Sequence, residues 1–226
     1  MTRDNRWEEF ARENAEHYIW TEHRNYDDPR AMEEFLESGR REVDEIMAVA
    51  GNRLEHRRSA LEIGCGVGRL ALPAAARFEH VFALDVSPTM LRRLGEYCES
   101  GGVTNVTPVL STDWQPAETR ADLVYSRLVL QHLESSDEIG RYVTGAAAAL
   151  EEGGLAYLQF DTRPQTPAYR LKTIAPDRVL PFPWRRGIRR IRRLPAELHG
   201  LFERAGLKVV EEIRPGSADH AFVLGR

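Results

Sequence analysis

Apolar positions along the chain change period near residue 59. Before it, spacings of three and four residues prevail. Trp7, Phe10, Ala11, Asn14 and Tyr18 recur with charges between them, which predicts a helix over about 4–24. TEHRNYDDPR at 21–30 breaks the pattern, and Asp28-Pro29 reads as a turn signal. A second helix is expected over about 31–54, weakened by Gly39 inside it. From Ser59 onward, short apolar runs at 59–64, 80–86, 106–111, 121–126 and 154–161 read as strands. Helical stretches are expected between them at about 68–77, 88–100 and 136–150. Alternation of this kind builds a parallel sheet with right-handed crossovers. The runs at 207–213 and 220–226 are separated only by Arg-Pro-Gly-Ser-Ala-Asp, too few residues for a helical crossover. They should pair antiparallel, which turns the last strand against the rest of the sheet.

The length of 226 residues suits one α/β domain with added segments. Hydrophobic residues at 42%, with 17 glycines, match an ordinary globular chain and exclude wholesale disorder, collagen and coiled coil. No apolar run approaches the roughly 20 residues that cross a bilayer. The polar start lacks the apolar core of a secretory signal, and two cysteines make no disulfide framework. A soluble cytoplasmic protein is therefore expected, with no membrane partner.

The strongest chemical feature is Glu62-Ile63-Gly64-Cys65-Gly66-Val67-Gly68-Arg69, where a buried strand runs into glycines and a helix is expected to open at Gly68. Glycines let a backbone approach a ligand closely, and a helix amino end offers N–H groups. The third glycine falls one place too early for a dinucleotide fingerprint. Asp85 follows at the carboxyl end of the second strand, where open α/β sheets bind ligands. A carboxylate there suits ribose hydroxyls. Helix capping is its plainer alternative, but Ser87 before Pro88 fits that role better.

These residues resemble the class I, Rossmann-like S-adenosylmethionine-dependent methyltransferases. The resemblance rests on Glu62-x-Gly64-x-Gly66-x-Gly68, Asp85-Val86-Ser87-Pro88-x-Met90, Asp113-Trp114, 121–126, Leu130-Gln131-His132-Leu133, Gly153-Gly154 and Ala205-Gly206-Leu207, and it covers about 40–226. It implies a doubly wound α/β fold: a mostly parallel seven-stranded sheet of order 3-2-1-4-5-7-6, last strand antiparallel, helices on both faces. It implies one domain over 1–226, with a helical lid at 1–40 and an acceptor-side insert at 162–195. S-adenosylmethionine is the implied cofactor, and S-adenosylhomocysteine its product. Gly64, Gly66 and Gly68 would form the loop under its methionine part, and Glu62 would reach the ammonium. Asp85 would bind the ribose, Val86 would pack near the adenine, and Asp113 would accept from the adenine amino group. Trp114 would give its backbone N–H or cover the ring. The backbone around Ser126 would hold the ammonium.

His132, six residues past the fourth strand, is the candidate general base, with an ordinary pKa near 6.5 suited to neutral pH. A histidine packed on its own turn is the plainer alternative. Asp161 ends the fifth strand and would either orient an acceptor hydroxyl or cap the next turn. Tyr18 and Trp20 are lid candidates facing the acceptor, whereas Trp7 and Phe10 read as packing. Cys65 reads as a small buried residue and not as a nucleophile. No His/Cys cluster has zinc spacing, so no metal is assigned, although Asp161 could join a magnesium site.

Arg185, Arg186, Arg189, Arg190, Arg192 and Arg193 concentrate six of the 31 basic residues, against 35 acidic ones. Trp184, Ile188, Ile191 and Leu194 form a stripe among them, which predicts an amphipathic helix. Its basic face would be solvated, or would meet an anionic acceptor or acidic partner. Nucleic acid is disfavoured because one stretch lacks a broad basic footprint. The expected activity is methyl transfer to a small molecule, with oxygen the first choice. The alternatives are an RNA or protein methyltransferase, a nicotinamide oxidoreductase and a non-catalytic S-adenosylmethionine-binding protein. The sequence leaves the oligomeric state open.

Overall fold

The computed structural model describes residues 3–20, 22–23, 25–179, 181 and 188–226. Helices α1 (Arg3–Ile19) and α2 (Pro29–Ala50) precede β1 (Ser59–Ile63), α3 (Ala71–Ala74), β2 (His80–Asp85), α4 (Pro88–Gly101), β3 (Val106–Leu110) and β4 (Ala121–Ser126). Then come α5 (Ser136–Ala149), β5 (Leu150–Phe160), α6 (Pro167–Ile174), α7 (Pro195–Arg204), β6 (Lys208–Ile213) and β7 (His220–Gly225). The strands form one sheet in the order β3-β2-β1-β4-β5-β7-β6. β1 pairs parallel with β2 and β4, and β2 pairs parallel with β3. β7 runs antiparallel to β5 and β6. Both the order and the reversed last strand follow the sequence reading. By compactness the chain divides into Met1–Tyr125 with Ala149–Leu155, and Ser126–Ala148 with Ala156–Arg226. Among the described residues no helix is long and apolar enough to cross a membrane.

Local chemistry accounts for the element starts. Asp28 accepts from the Arg30 N–H at 3.0 Å with Pro29 opening α2, so the expected turn signal is a helix cap. Ser87 accepts from the Met90 N–H at 3.1 Å and Pro88 opens α4, as read from the sequence. α1 is interrupted at Asn14 (φ −166, ψ 87), whose side-chain oxygen takes the His17 N–H at 3.2 Å and restarts the helix. That explains a polar residue in an otherwise apolar stripe. β1 and β4 are buried along nearly their whole length, as strands covered on both faces must be.

Two expectations need correction. The helix expected over 68–77 is only Ala71–Ala74 flanked by turns. Gly66 and Gly68 hold φ of +54 and +93, outside the helical range, and Pro73 brings no N–H. The amphipathic helix expected at 184–194 is not formed over 188–194, which is turn and extended chain with Arg192 bridging to Asp161. Trp184, Arg185 and Arg186 lie outside the described residues. The helix of this region is α6, capped by Thr166 and opened by Pro167, a pair masked in the sequence by its proline-rich surroundings.

Gly39 sits in mid-helix because α2 presses on the glycine turn. A Cβ there would lie 1.9 Å from the Arg69 carbonyl oxygen, a backbone atom. Ala is the better helix former by about 1 kcal/mol, while overpacking costs about 1–3 kcal/mol or more. Gly39→Ala should therefore destabilise the protein, read as a lower urea midpoint at unchanged slope. A raised midpoint would mean that α2 does not press on the turn.

Candidate active site at the glycine turn

The first compact unit builds the turn from Glu62 to Arg69. The carbonyl of Leu84 on β2 accepts from Gly64 N–H at 2.7 Å and Cys65 N–H at 2.9 Å. Asp85, the last residue of β2, takes the Gly66 N–H at 2.8 Å on one oxygen and the Ser87 N–H at 2.9 Å on the other. Gly68 N–H closes on the Cys65 carbonyl at 2.9 Å. These N–H groups therefore brace the turn, which corrects the picture of a helix opening at Gly68 to present them. Cβ atoms on Gly66 and Gly68 would lie 2.4 Å from Ile19 Cδ1 and Leu94 Cδ1 respectively. Both positions favour glycine on conformation, with φ of +54 and +93, whereas the side-chain ends of Ile19 and Leu94 could shift to make space.

Two acidic groups line this turn. Glu62 is buried within β1 and accepts from the Tyr125 hydroxyl at 3.2 Å. Burial pushes its carboxyl up to about 8, although the Arg69 guanidinium and the Tyr125 hydrogen bond pull the other way. Burial also raises Asp85, against the backbone N–H groups of Ser87, Gly66 and Val86. Arg69, 2% exposed, is held by Ser38 Oγ at 3.2 Å and by Glu42 at 2.9 Å. Ser38 and Glu42 lie one helical turn apart on α2 and flank Gly39. Sequence reasoning noted Arg69 only as a departure from the dinucleotide fingerprint. Cys65 is buried and its thiol is pushed well above its usual value by burial, consistent with a packing residue.

Register places Asp85 beside Leu110, and Asp113 follows three residues past the end of β3. Asp113 is exposed and accepts from Thr112 Oγ1 at 3.0 Å. The Trp114 indole N–H goes to Thr119 Oγ1 at 2.7 Å. Val86 is half-buried after β2, and Ser126 is the buried last residue of β4.

The amino-terminal helices share a core with the turn. Ala11 and Ala15 of α1, Ala31 and Phe35 of α2, Tyr26, Val67 and Met90 pack together, with Ile19 and Trp20 against them. Tyr18 stacks on Phe10 at 4.2 Å, and Trp7 meets Phe10 edge-on at 5.8 Å. A contact the sequence did not signal reinforces this docking. Glu8 accepts from Ser87 Oγ at 2.6 Å, Thr89 N–H at 3.1 Å and Thr89 Oγ1 at 2.7 Å at the start of α4. Burial raises the Glu8 carboxyl, but these bonds and Arg12 outweigh it and bring it down to about 2. Glu16 likewise receives Arg93 at 3.0 Å and the Tyr97 hydroxyl at 2.7 Å.

The second unit holds His132 and Asp161. His132 Nδ1 lies 3.2 Å from the Arg189 carbonyl, an acceptor only, so Nδ1 carries the proton and the lone pair is on Nε2. That is the tautomer a general base needs. Asp161 is fully buried and forked by Arg163, with Nε 3.1 Å from Oδ1 and Nη2 2.6 Å from Oδ2. Its Oδ1 also accepts the Arg163 N–H at 3.1 Å, so of its two expected roles the structure displays the turn cap. The described arginines of the basic stretch are engaged within the protein. Arg193 donates to the carbonyls of Leu133 and Glu134 at 2.7 and 2.8 Å, Arg192 to that of Pro164 at 2.6 Å, and Arg189 to that of Thr173 at 3.1 Å. Arg192 also lies over the Tyr169 ring at 4.4 Å. Neither a solvated basic face nor an anion cradle describes these three. No group of three metal-ligating side chains occurs among the described residues.

Residues 32–212 match the methyltransferase-domain family. The chain belongs to that family, the class I, Rossmann-like methyltransferases that use S-adenosylmethionine. It is 31% identical over 104 residues to phosphoethanolamine N-methyltransferase 1 of Zea mays, covering 45% of this chain and 21% of that protein. It is 28% identical over 165 residues to a ubiquinone biosynthesis O-methyltransferase of Methylobacterium nodulans, covering 68% of this chain and 61% of that protein. The chain thus spans less than two thirds of the length of both curated relatives. The solved magnesium protoporphyrin IX methyltransferase of Synechocystis PCC 6803, with bound SAH, shares the fold with TM-score 0.66 at 19% identity, covering 99% of this chain and 97% of that one.

The raised carboxyl of Glu62 has a stability consequence. Unfolded, it ionises near 4.5; folded, near 8. Between these values the folded state holds the extra proton, so this group's contribution is most favourable below 4.5 and declines as pH rises towards 8. The wild-type thermal midpoint should fall more between pH 5 and 8 than that of Glu62→Gln. Parallel profiles for the two proteins would mean Glu62 is ionised in the fold.

Proposed function

We propose that the protein is a soluble, cytoplasmic methyltransferase that moves the methyl group of S-adenosylmethionine to a small-molecule acceptor, with an oxygen as the preferred target. The observation that carries this reading is the presence of two carboxyl groups, the buried Glu62 and the half-buried Asp85, at a turn whose glycines at 66 and 68 hold positive φ. Such a turn favours a ligand with positive charge and hydroxyl groups, and S-adenosylmethionine fits that demand.

Each residue has a role within this reading. Glu62 receives the ammonium, which favours its ionised form, so binding near pH 7 releases a proton. Asp85 has lone pairs beyond those given to Gly66 and Ser87 and accepts from the ribose hydroxyls. Gly64, Gly66 and Gly68 give the methionine part room, Val86 flanks the adenine, Asp113 and Trp114 meet its polar edge and face, and Ser126 holds the ammonium with its backbone. Bound S-adenosylmethionine supplies an already activated methyl on sulfonium. The protein therefore has to orient the acceptor and take its proton, which His132 Nε2 is in the right tautomer to do. We read the chain as one methyltransferase domain, with residues 1–40 as the cover, Tyr18 and Trp20 on its acceptor side, and 162–195 as the acceptor-side insert.

Names among the relatives favour small acceptors, one an N-methyltransferase and one an O-methyltransferase. The proton-taking tautomer of His132 tips the choice to oxygen. The engagement of Arg189, Arg192 and Arg193 with backbone carbonyls counts against RNA.

Incubation of a host-cell extract with methyl-tritiated S-adenosylmethionine tests the reading. Label should enter the small-molecule fraction, insensitive to chelator, and His132→Ala should lower its rate roughly 100-fold or more while S-adenosylhomocysteine still binds. Label confined to RNA or protein would overturn the acceptor class. Asp85→Ala should weaken S-adenosylhomocysteine at least about tenfold by calorimetry, the loss of a charge-assisted hydrogen bond; unchanged affinity would remove Asp85 from the ribose site.

A further inference from the structure

Beside His132 the second unit contains a buried amide whose orientation is fixed. Gln159, 0% exposed near the end of β5, has its Oε1 2.7 Å from the Leu128 N–H, a backbone donor. Its Nε2 must then face the other way, and it donates to the Ala218 carbonyl at 2.9 Å and to Gln131 Oε1 at 3.3 Å. The Gln131 atom facing Gln159 is therefore the oxygen, since the flipped amide would oppose two donors. This leaves Gln131 Nε2 as the donor not facing Gln159. Gln131 is 1% exposed, and its Nε2 has no hydrogen-bond partner among the described residues.

The backbone around this amide is also held in place. The Gln131 carbonyl accepts the Ile191 N–H at 2.7 Å, and His132 N–H closes on the Val129 carbonyl at 2.9 Å. Leu128, whose N–H anchors the chain of amides, has φ +61, a conformation disfavoured for a side chain of this kind. Buried donors without partners are rare, and backbone strain of this type collects at functional sites. Here both occur within four residues of the candidate base.

We propose that Gln131 Nε2 is an acceptor-recognition donor, binding a lone-pair oxygen of the methyl acceptor next to the group that His132 deprotonates. An amide N–H recognises carbonyl, carboxylate, ether or hydroxyl oxygen and has nothing to offer an ammonium. The acceptor class is thus a small molecule with a second oxygen near the reacting one. This inference rests on the methyl-transfer reading above and adds a specificity residue to it.

The test uses the full chain, methyl-tritiated S-adenosylmethionine and the filtrate of a host-cell extract below about 1 kDa, the small-molecule range that proposal concerns. Gln131→Met keeps the volume and removes the donor. Gln131→Glu keeps the oxygen facing Gln159 and replaces the donor with lone pairs, so it carries the test if the Met variant does not fold. Both should transfer label roughly ten- to a hundredfold more slowly, as expected when a built hydrogen bond to substrate is left unmade. Their S-adenosylhomocysteine affinity and thermal midpoint should stay close to wild type. Wild-type rates in both variants would overturn the proposal and assign the amide to a trapped water. A parallel loss of midpoint or S-adenosylhomocysteine affinity would overturn it in favour of a structural role. Absence of label with the wild-type protein would overturn the methyl-transfer reading first and this inference with it.

Discussion

The carboxylate of Asp85 is the constraint on which the first unit depends. One oxygen holds Gly66 in the turn after β1 and the other holds Ser87 at the start of α4. Two loops from neighbouring parallel strands are thereby locked to a single side chain. Burial raises the cost of that carboxylate, and the backbone N–H groups offset it. Ser87, so positioned, caps α4 and donates to Glu8 of α1. One half-buried carboxylate thus orders the glycine turn, the entry to α4 and, through Ser87, the docking of the first helix.

Gly39 and Arg69 form the counterpart on the other flank. The helix comes close enough to touch the Arg69 carbonyl, and the same helix turn supplies Ser38 and Glu42 to the guanidinium. A buried arginine without such partners would cost more than the fold gains. Its charge stands near Glu62 and restrains, without cancelling, the rise caused by burial. The polarity of the turn is a balance between desolvated carboxylates and one desolvated guanidinium.

Much of this was legible in the residues. Alternation of period located the strands, and the short linker before 220–226 gave the reversed last strand, because both follow from chain geometry. Ser87-Pro88 marked its helix start through local capping chemistry. The boundaries that failed did so for nonlocal or conformational reasons. The stretch at 68–77 has helical composition, but positive φ at Gly66 and Gly68 and the ring of Pro73 confine the helix to one turn. The stripe at 188–194 had helical spacing, yet pairing of Arg192 with Asp161 drew that segment into extended form. Glu8, Glu42 and Gln159 gave no sequence signal as site residues, since their partners lie 27 to 81 residues away or depend on a loop's course. Gln131 stood inside a recognised segment, but its burial and fixed amide emerge only with the neighbouring strand in place.

The arginines of the insert have one more consequence. Arg189, Arg192 and Arg193 donate to backbone carbonyls of 133–173, and Arg193 also reaches Ser136 Oγ and the Glu197 carboxylate. The carbonyl contacts are charge–dipole contacts at hydrogen-bond distance, and those of Arg189 and Arg193 are partly sheltered from solvent. Mobile ions weaken attraction between separated exposed charges, with a screening length of about 8–10 Å at moderate salt, and act far less on such close, sheltered pairs. Residues 188–193 are thus a cation-braced segment held chiefly by contacts that mobile ions weaken little, although the sequence there reads as the most salt-sensitive stretch of the chain.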